Sequence, residues 1–406
     1  MPDYQLLTEL LGLPQVRVTD YELIDLDQIR LSVESTVEVA VCPDCQMVSF
    51  RLHETSKAQL IRDLPIWQRR CWLHYAPRRF KCATCQDTFV ERVLWREPDL
   101  DYTVRYEQAI YQRARREPIS QVAESEQLSE DIVQGIFERG AKKTLDARGY
   151  PLVKVLGLDE IAPHKGHGRF QLIISAPELG IVLDVLNDRK KATLEAWFDE
   201  RGAAWCAAVE VCSADMWDAY HEAAQAKLPN VRLTVDRFHV MKNLNDAVTK
   251  ARRSIQKYAD EQTQAQLKGC RWLLVKNAEN LTDAERPKLG AMLAASPELK
   301  TCYELKEDFR TWFNTLSDRP TAERTLNEWL TKVQASGLKA LQAFTKTIGN
   351  WRERILNYFD GRHSNGFAEG INLKIKLLNR RAFGYHNFAS FRLHVLVAFG
   401  SCPCNG

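Results

Sequence analysis

Hydrophobic positions recur with changing period along the 406-residue chain, and each period marks a different kind of structure. Up to about residue 41 they alternate, as in Val16-Arg17-Val18, Leu31-Ser32-Val33 and Val37-Glu38-Val39-Ala40-Val41, which predicts half-buried strands after an apolar N-terminal helix or turn. Further strand-like runs follow at Arg70–Tyr75 and Arg78–Phe80. From Thr103 the period becomes helical, with Val104, Ala109, Ile110 and Ala114 on one face as far as Glu117. Pro118 opens a second helix that ends near Gln127, and Ser129 is the expected N-cap of a third, whose face carries Ile132, Val133, Ile136 and Phe137.

A new unit begins at Pro151. Strands are predicted at Val153–Asp159, Phe170–Ala176, Gly180–Leu186, Val209–Ser213 and Val231–Val235, with helices at Ala192–Arg201 and Ala219–Lys227, giving the order βββαβαβ. From about His239 to Arg354 the pattern is helical and charge-mixed, broken near Thr282-Asp283, Ser296-Pro297 and Arg319-Pro320. Ser364 to about Arg380 reads as one amphipathic helix, and a last helix follows Gly384-Tyr385-His386-Asn387. No run approaches the roughly 18 apolar residues of a membrane span, and the acidic start MPDYQLLTELLGLP lacks the basic region of a secretory signal. The length favours two or three domains.

Net charge is only +3, so the balance alone does not imply nucleic acid. The distribution does more: residues 51–96 hold ten Lys and Arg against four acids, and residues 346–394 hold nine against three, as expected of two local electrostatic footprints. Eleven cysteines without a signal peptide point to a reducing, cytoplasmic setting. Four of them form two pairs, Cys42-Pro-Asp-Cys45 and Cys82-Ala-Thr-Cys85, which supply the four thiolates of a tetrahedral structural Zn²⁺. Cys71 and His74 are weaker candidates, because they sit in an apolar strand pattern where free cysteine is usually core. The three helices of 103–146 fit a helix-turn-helix with Glu130–Lys143 as reading helix, and Arg113, Arg115, Arg116, Lys142 and Lys143 are its candidate phosphate contacts.

Two strands of the second unit end in aspartate. Asp159 closes the first and Asp215 follows the fourth, at the carboxyl ends where open α/β sheets place their ligands. Neighbouring strands lie about 4.8 Å apart, so paired carboxylates there repel unless a cation such as Mg²⁺ (or Mn²⁺) sits between them. The helix 365–380 sets Phe367, Ile371, Ile375 and Leu378 on an apolar face and lines up Glu369, Asn372, Lys376 and Arg380 opposite, partly interrupted by Leu373. A carboxylate aligned with amide and basic groups suits a metal–phosphate site. Asp236 and His239 share the sheet edge as an accessory pair or an alternative ligand set. Asp184, Asp188 and Asp218 read as ordinary surface acids.

Gly157-Leu158-Asp159-Glu160-Ile161-Ala162, Lys165-Gly166-His167, Ser213-Ala214-Asp215-Met216-Trp217, Val235-Asp236-Arg237-Phe238-His239-Val240 and Ser364-Asn365-Gly366-Phe367-Ala368-Glu369-Gly370-Ile371-Asn372 resemble the transposases of the ISL-three family of bacterial insertion sequences, over nearly the whole chain. The resemblance implies a multidomain α/β protein: a β-rich zinc-binding module over 1–95, a helix-turn-helix over 100–148, an RNase H-like catalytic domain over 151–240 plus 360–400, and a helical insertion over 241–359. It implies an Asp-Asp-Glu triad of Asp159, Asp215 and Glu369 holding Mg²⁺, with Asp236 accessory. It implies double-stranded DNA, as element ends and as target, for the partner, and a homo-oligomer on that DNA. The expected reaction is cleavage of the element's 3′ ends and their joining to target DNA. The alternatives are a non-catalytic zinc and helix-turn-helix regulator, and a nuclease that cuts without joining. No role is assigned to Ser401-Cys402-Pro403-Cys404.

Overall fold

The computed structural model describes residues 4–162, 170–269, 271–315, 317–363, 366–385 and 387–401. Lys165-Gly166-His167, Ser364-Asn365 and Cys402-Pro403-Cys404 therefore lie outside the described residues. The chain divides into two compact units, Met1–Thr144 and Leu145–Gly406.

In the first unit, helix α1 (Tyr4–Leu11) precedes a four-stranded sheet of β1 (Val16–Leu23), β2 (Gln28–Ser35), β6 (Gln59–Ile66) and β7 (Arg69–Tyr75), in the order β1-β2-β7-β6. Alternation does the work expected of it: Ile29, Leu31, Val33, Ile61, Cys71 and Leu73 form the core of this sheet. Between β2 and β6 come β3 (Ala40–Val41) and β4 (Val48–Ser49), which pair in a small sheet, and β5 (Leu52–Thr55), which forms a second one with β8 (Arg78–Lys81) and β9 (Thr88–Val90) from beyond β7. Helices α2 (Val104–Ala114), α3 (Ile119–Glu126) and α4 (Glu130–Arg148) follow. Buried Asp63 accepts hydrogen bonds from Thr103 Oγ1 at 2.7 Å and Arg105 Nε at 2.8 Å, so the four-stranded sheet and the helices are tied within one unit. This one unit holds both the zinc module expected over 1–95 and most of the three-helix stretch expected over 100–148.

The second unit is built on a five-stranded sheet of β10 (Val155–Ile161), β11 (Gln171–Ala176), β12 (Ile181–Leu186), β13 (Val211–Ala214) and β14 (Arg232–Val235), in the order β12-β11-β10-β13-β14. The pairs β10–β11 and β11–β12 are antiparallel; β10–β13 and β13–β14 are parallel. Helices α5 (Lys191–Arg201), α6 (Ala203–Ala208) and α7 (Asp218–Lys227) connect the parallel strands, as parallel pairing requires. The strands are apolar on both faces. Leu156, Leu158, Leu172 and Ile174 pack with Leu194, Phe198 and Tyr220 from α5 and α7. Ile161, Ile173, Val182 and Val185 pack with α15 (Gly366–Arg381) and α16 (Phe388–Phe399) through Ile371, Ile375, Phe391 and Val395. The apolar face read for the helix 365–380 is the face that α15 buries. Helix α6 was not legible, being a short run of Ala, Trp and Cys with no polar side to give it a period.

The helical stretch begins with α8 (Arg237–Tyr258), which starts four residues before the expected boundary at 241, and continues through α9 (Glu261–Gln266), α10 (Arg271–Val275), α11 (Glu285–Ala295), α12 (Pro297–Asn314), α13 (Arg319–Ala335) and α14 (Lys339–Leu356). Ser296 and Asp318 cap α12 and α13 through their side chains, with proline in the first turn of each, so the expected breaks are helix starts. Phe309, Trp312, Phe313, Trp329 and Phe344 fill the core and share it with Val235 and Val240. None of the helices is long and apolar enough to cross a membrane, among the described residues.

Candidate active site and metal centre

The register of the parallel strands sets the site. Val155 pairs with Val211 and Gly157 with Ser213 on β10 and β13, while Ala214 pairs with Val235 on β13 and β14. Continued by one or two positions, this register aligns Asp159 with Asp215 and Asp215 with Asp236. Side chains at one level of neighbouring strands leave by the same face, so three acids stand side by side at the carboxyl edge. Alternation sends the next residue, Glu160, the other way. Its carboxylate accepts from Tyr220 Oη of α7 at 2.9 Å and meets Arg189 Nη1 at 3.3 Å. The Arg189 guanidinium lies 4.5 Å from the ring centres of both Phe170 and Trp217.

His239, on the first turn of α8, bridges the first two acids. Its Nδ1 is 3.0 Å from Asp215 Oδ1 and its Nε2 is 3.7 Å from Asp159 Oδ1. Burial disfavours the imidazolium, but the bonds to Asp159 and Asp215 outweigh it and raise the His239 pKa to about 10. Burial likewise opposes charge on Asp215, and His239 still brings its pKa below the ordinary value. Asp236 is buried and caps α8, accepting from Phe238 N at 3.3 Å. His221 is buried beneath this edge and contacts Asp215 O at 2.9 Å; a lone histidine in a helix gave no sign of that role.

From the opposite side α15 delivers Asn372, which is buried and donates through Nδ2 to Asp159 Oδ2 at 2.8 Å. Glu369, one turn earlier on the same helix, is exposed, as are Lys376 and Arg380. The structure thus gathers Asp159, Asp215, His239 and Asn372, and it does not bring the exposed Glu369 into hydrogen-bond or ion-pair contact with them. Asn372 Oδ1 is buried with no hydrogen-bond partner. Two aligned carboxylates held by cationic and amide donors, beside an orphaned oxygen, are a donor set that fits a hard, oxygen-seeking cation.

The zinc centre is more compact. Cys42, Cys45, Cys82 and Cys85 bring their sulfurs within 4.8 Å of one another, and they are the group of three or more ligand side chains that meets this distance among the described residues. The two halves repeat one design. Cys42 N donates to Met47 O and Cys82 N to Asp87 O, both at 2.9 Å. Gln46 and Gln86 take left-handed φ angles of 61° and 63°, and their side-chain amides donate back to Pro43 O and Ala83 O. The backbone N–H groups of Cys85 and Thr84 lower the Cys82 pKa to about 7, whereas the neighbouring sulfurs, Cys45 foremost, push Cys85 up. Crowded thiolates of this kind call for a cation, and four sulfurs suit a structural Zn²⁺. Cys71 is core of the four-stranded sheet, its thiol pushed up to about 12 by burial, and His74 is exposed.

In the three-helix unit Ser129 Oγ accepts from Ile132 N at 3.3 Å, the expected cap of α4, and α4 runs on past Lys143 to Arg148. Arg113 is engaged within the unit, donating to Glu117 at 2.8 Å and to Glu126 at 2.5 Å, while Arg115, Arg116, Lys142 and Lys143 are exposed. One reading of the sequence is corrected: Asp184 is 1% exposed, not a surface acid. Arg392 Nε and Nη2 donate to it at 2.6 and 2.9 Å, Trp197 Nε1 at 2.8 Å and Tyr150 Oη at 3.0 Å. Strand alternation assigned it no partner because Arg392 lies 208 residues away.

The family model of the ISL3 transposases, described as Transposase, matches residues 156–395. A second, described as the zinc-finger of transposase IS204/IS1001/IS1096/IS1165, matches residues 38–85. The chain is 28% identical over 376 residues to the transposase for insertion sequence element IS1001 of Bordetella parapertussis, a span of 91% of each chain. It is 27% identical over 272 residues, 61% of each chain, to the transposase for insertion sequence element IS1557 of Mycobacterium tuberculosis. The first match covers more than half of the chain, including Asp159, Asp215 and Asp236, and the protein belongs to the ISL3 family of insertion-sequence transposases.

Proposed function

We propose that this transposase binds the ends of its element, cuts their 3′ strands and joins the freed 3′-hydroxyls to target DNA, with Asp159, Asp215 and Glu369 as the carboxylates of one metal-dependent site. The observation that carries the reading is the strand register that aligns Asp159 with Asp215, with Asn372 of the Glu369 helix bonded to Asp159. The sheet order, three antiparallel strands followed by two parallel ones with helices on both faces, supports an RNase H-like catalytic domain. Bound Mg²⁺ or Mn²⁺ supplies Lewis-acid activation of the attacking oxygen and neutralises charge on the leaving one. Asp159 and Asp215 hold that cation, and Asn372 fixes the rotamer of Asp159. Glu369 completes the ligand set. His239 orients Asp215, and Asp236 holds the first turn of α8 that carries His239. Lys376 and Arg380, exposed along the same helix as Glu369, face the phosphates of the bound strand.

The helices α2–α4 act as a helix-turn-helix, with α4 as reading helix and Arg115, Arg116, Lys142 and Lys143 on phosphates; Arg113 braces the unit through Glu117 and Glu126. The zinc module positions the same DNA. The residues 241–359 form a helical insertion in the catalytic domain, and the protein works in the cytoplasm as a homo-oligomer that holds two ends. The test is a cleavage and strand-transfer assay on labelled element ends with Mg²⁺. Asp159→Asn, Asp215→Asn and Glu369→Gln each abolish cutting and joining while end binding persists, and a double variant is little worse than a single one. Full activity in Asp215→Asn with none in Asp236→Asn places the second ligand on β14 instead of β13. A wild-type protein that binds ends but never cuts them favours the regulator reading.

A further inference from the structure

Helix α15 ends in a way that its own stability does not explain. Gly384 N donates to Asn379 O at 2.9 Å and Phe383 N to Arg380 O at 3.1 Å, the paired bonds of a Schellman C-cap. That motif needs a left-handed residue after the cap, a place usually held by glycine. Here it is Phe383, at φ 53°. The ring gains nothing from packing in return, because Phe383 is 94% exposed. A bulky side chain is held in a strained conformation and aimed at solvent.

The surface leading to it is equally unusual. On the outer side of α15, Leu373 is 71% and Leu377 58% exposed, and Lys374, Lys376, Arg380 and Arg381 are exposed around them. No acid occurs from Gly370 to the last residue. The ridge starts on the first turn of α15, beside the Asn372 that bonds Asp159, and ends two residues past the helix at Phe383. Along the axis Phe383 lies eleven residues beyond Asn372, about 16 Å at 1.5 Å per residue. That distance corresponds to about five base pairs of B-form duplex.

We propose that Phe383 is a wedge that enters a base step of the duplex lying along α15, about five base pairs from the reacting phosphate. Arg380 and Arg381 take the phosphates on either side of that step. Apolar side chains between cations are the means by which proteins unstack and kink DNA, and the charge of the ridge matches a phosphate backbone, not a second copy of the same ridge. The inference rests on the transposase reading and deepens it, because a kinked duplex presents its phosphate to Asp159 and Asp215 from outside the plane of the sheet.

The test uses the full chain and target duplexes in which 2-aminopurine replaces adenine at successive positions on either side of the joining site. With wild type the fluorescence rises at one step, about five base pairs from the joined phosphate. Phe383→Ala and Phe383→Gly lose that rise and join about tenfold more slowly on a paired target, since no side chain then offsets the unstacking of the step. A mismatch placed at the step restores their rate, and Phe383→Leu keeps both signals. Phe383→Gly also melts no lower than wild type, which separates the wedge from a structural role. Joining and fluorescence unchanged in Phe383→Ala overturn the proposal and leave the enzyme assignment standing. A change of oligomeric state in Phe383→Ala without DNA, with the fluorescence rise intact, also overturns it and assigns the ridge to a second copy. A fluorescence rise without any joining by wild type supports the wedge and refutes the joining reaction instead.

Discussion

Replacing Asp184 by asparagine is a near-silent change if this residue is a surface acid and a damaging one if it is what the structure shows. The carboxylate receives both forks of Arg392, the Trp197 indole and the Tyr150 hydroxyl while 1% exposed. Asparagine keeps the shape and an oxygen for Trp197 and Tyr150, so the variant isolates the charge opposite Arg392. Breaking a buried ion pair from one side costs about 3–5 kcal/mol. The Arg392 side chain is 35% exposed and recovers some hydration, which places the expected loss near the lower end, about 3 kcal/mol. For a unit of this size each kcal/mol moves the melting temperature by about 2–4 °C, so a drop of about 6–12 °C is expected by calorimetry or thermal circular dichroism. Because Arg392 belongs to α16, which packs beside α15, DNA joining should fall at temperatures where the fold still holds. The double variant Asp184→Asn/Arg392→Gln should lose clearly less than the sum of the two single losses. A single-variant shift below about 1–2 °C would refute the claim that this pair carries load.

Metal analysis of protein purified without chelators should find one Zn²⁺ per chain, and Cys42→Ser or Cys82→Ser should release it and unfold the two small sheets of β3–β5, β8 and β9 while the four-stranded sheet persists; protein free of zinc defeats the assignment. His394 is buried and its pKa falls to about 4, chiefly by burial, against 6.5 in the unfolded chain, so it stabilises the fold fully above pH 6.5 and that contribution is lost as pH falls toward 4. Urea midpoints measured from pH 7 to pH 4 should therefore fall less steeply in His394→Gln than in wild type; parallel curves would exclude the histidine as the cause. Residues 1–144 should bind element ends without Mg²⁺ and weaken steeply with salt, and Lys142→Ala should reduce the salt slope by about one. A slope unmoved by that change removes Lys142 from the phosphate contacts.

The sheet was legible because its information is local. Leu172, Ile173 and Ile174 are a continuous apolar run, as strands buried on both faces must be, and the Ser296-Pro297 and Asp318-Arg319-Pro320 breaks are written in capping chemistry. The strand-end places of Asp159 and Asp215 were legible, whereas Asn372, read on the polar side with Glu369, Lys376 and Arg380, is buried beside Ile371 and Ile375. Partnerships between distant segments were not legible. Nothing in the neighbourhood of Asp184 announces Arg392, and nothing in the 218–227 helix says that His221 supports the backbone of Asp215. Exposure at Glu369 was equally hidden, since helical periodicity gives the side of a helix and not how far a side chain stands from its neighbours across the sheet.

The hydrogen bond from Asn372 to Asp159 joins residues 213 positions apart. On the ribosome, the strand that bears the first aspartate is made long before the helix that fixes its carboxylate. At about 5–20 residues per second that interval lasts some tens of seconds at the slow end and about ten at the fast end. The first 144 residues form a compact unit of their own and are made before that interval opens. A product terminated before residue 372 therefore contains the whole of the first unit and lacks the amide that holds Asp159, so the two units of one chain need not mature together.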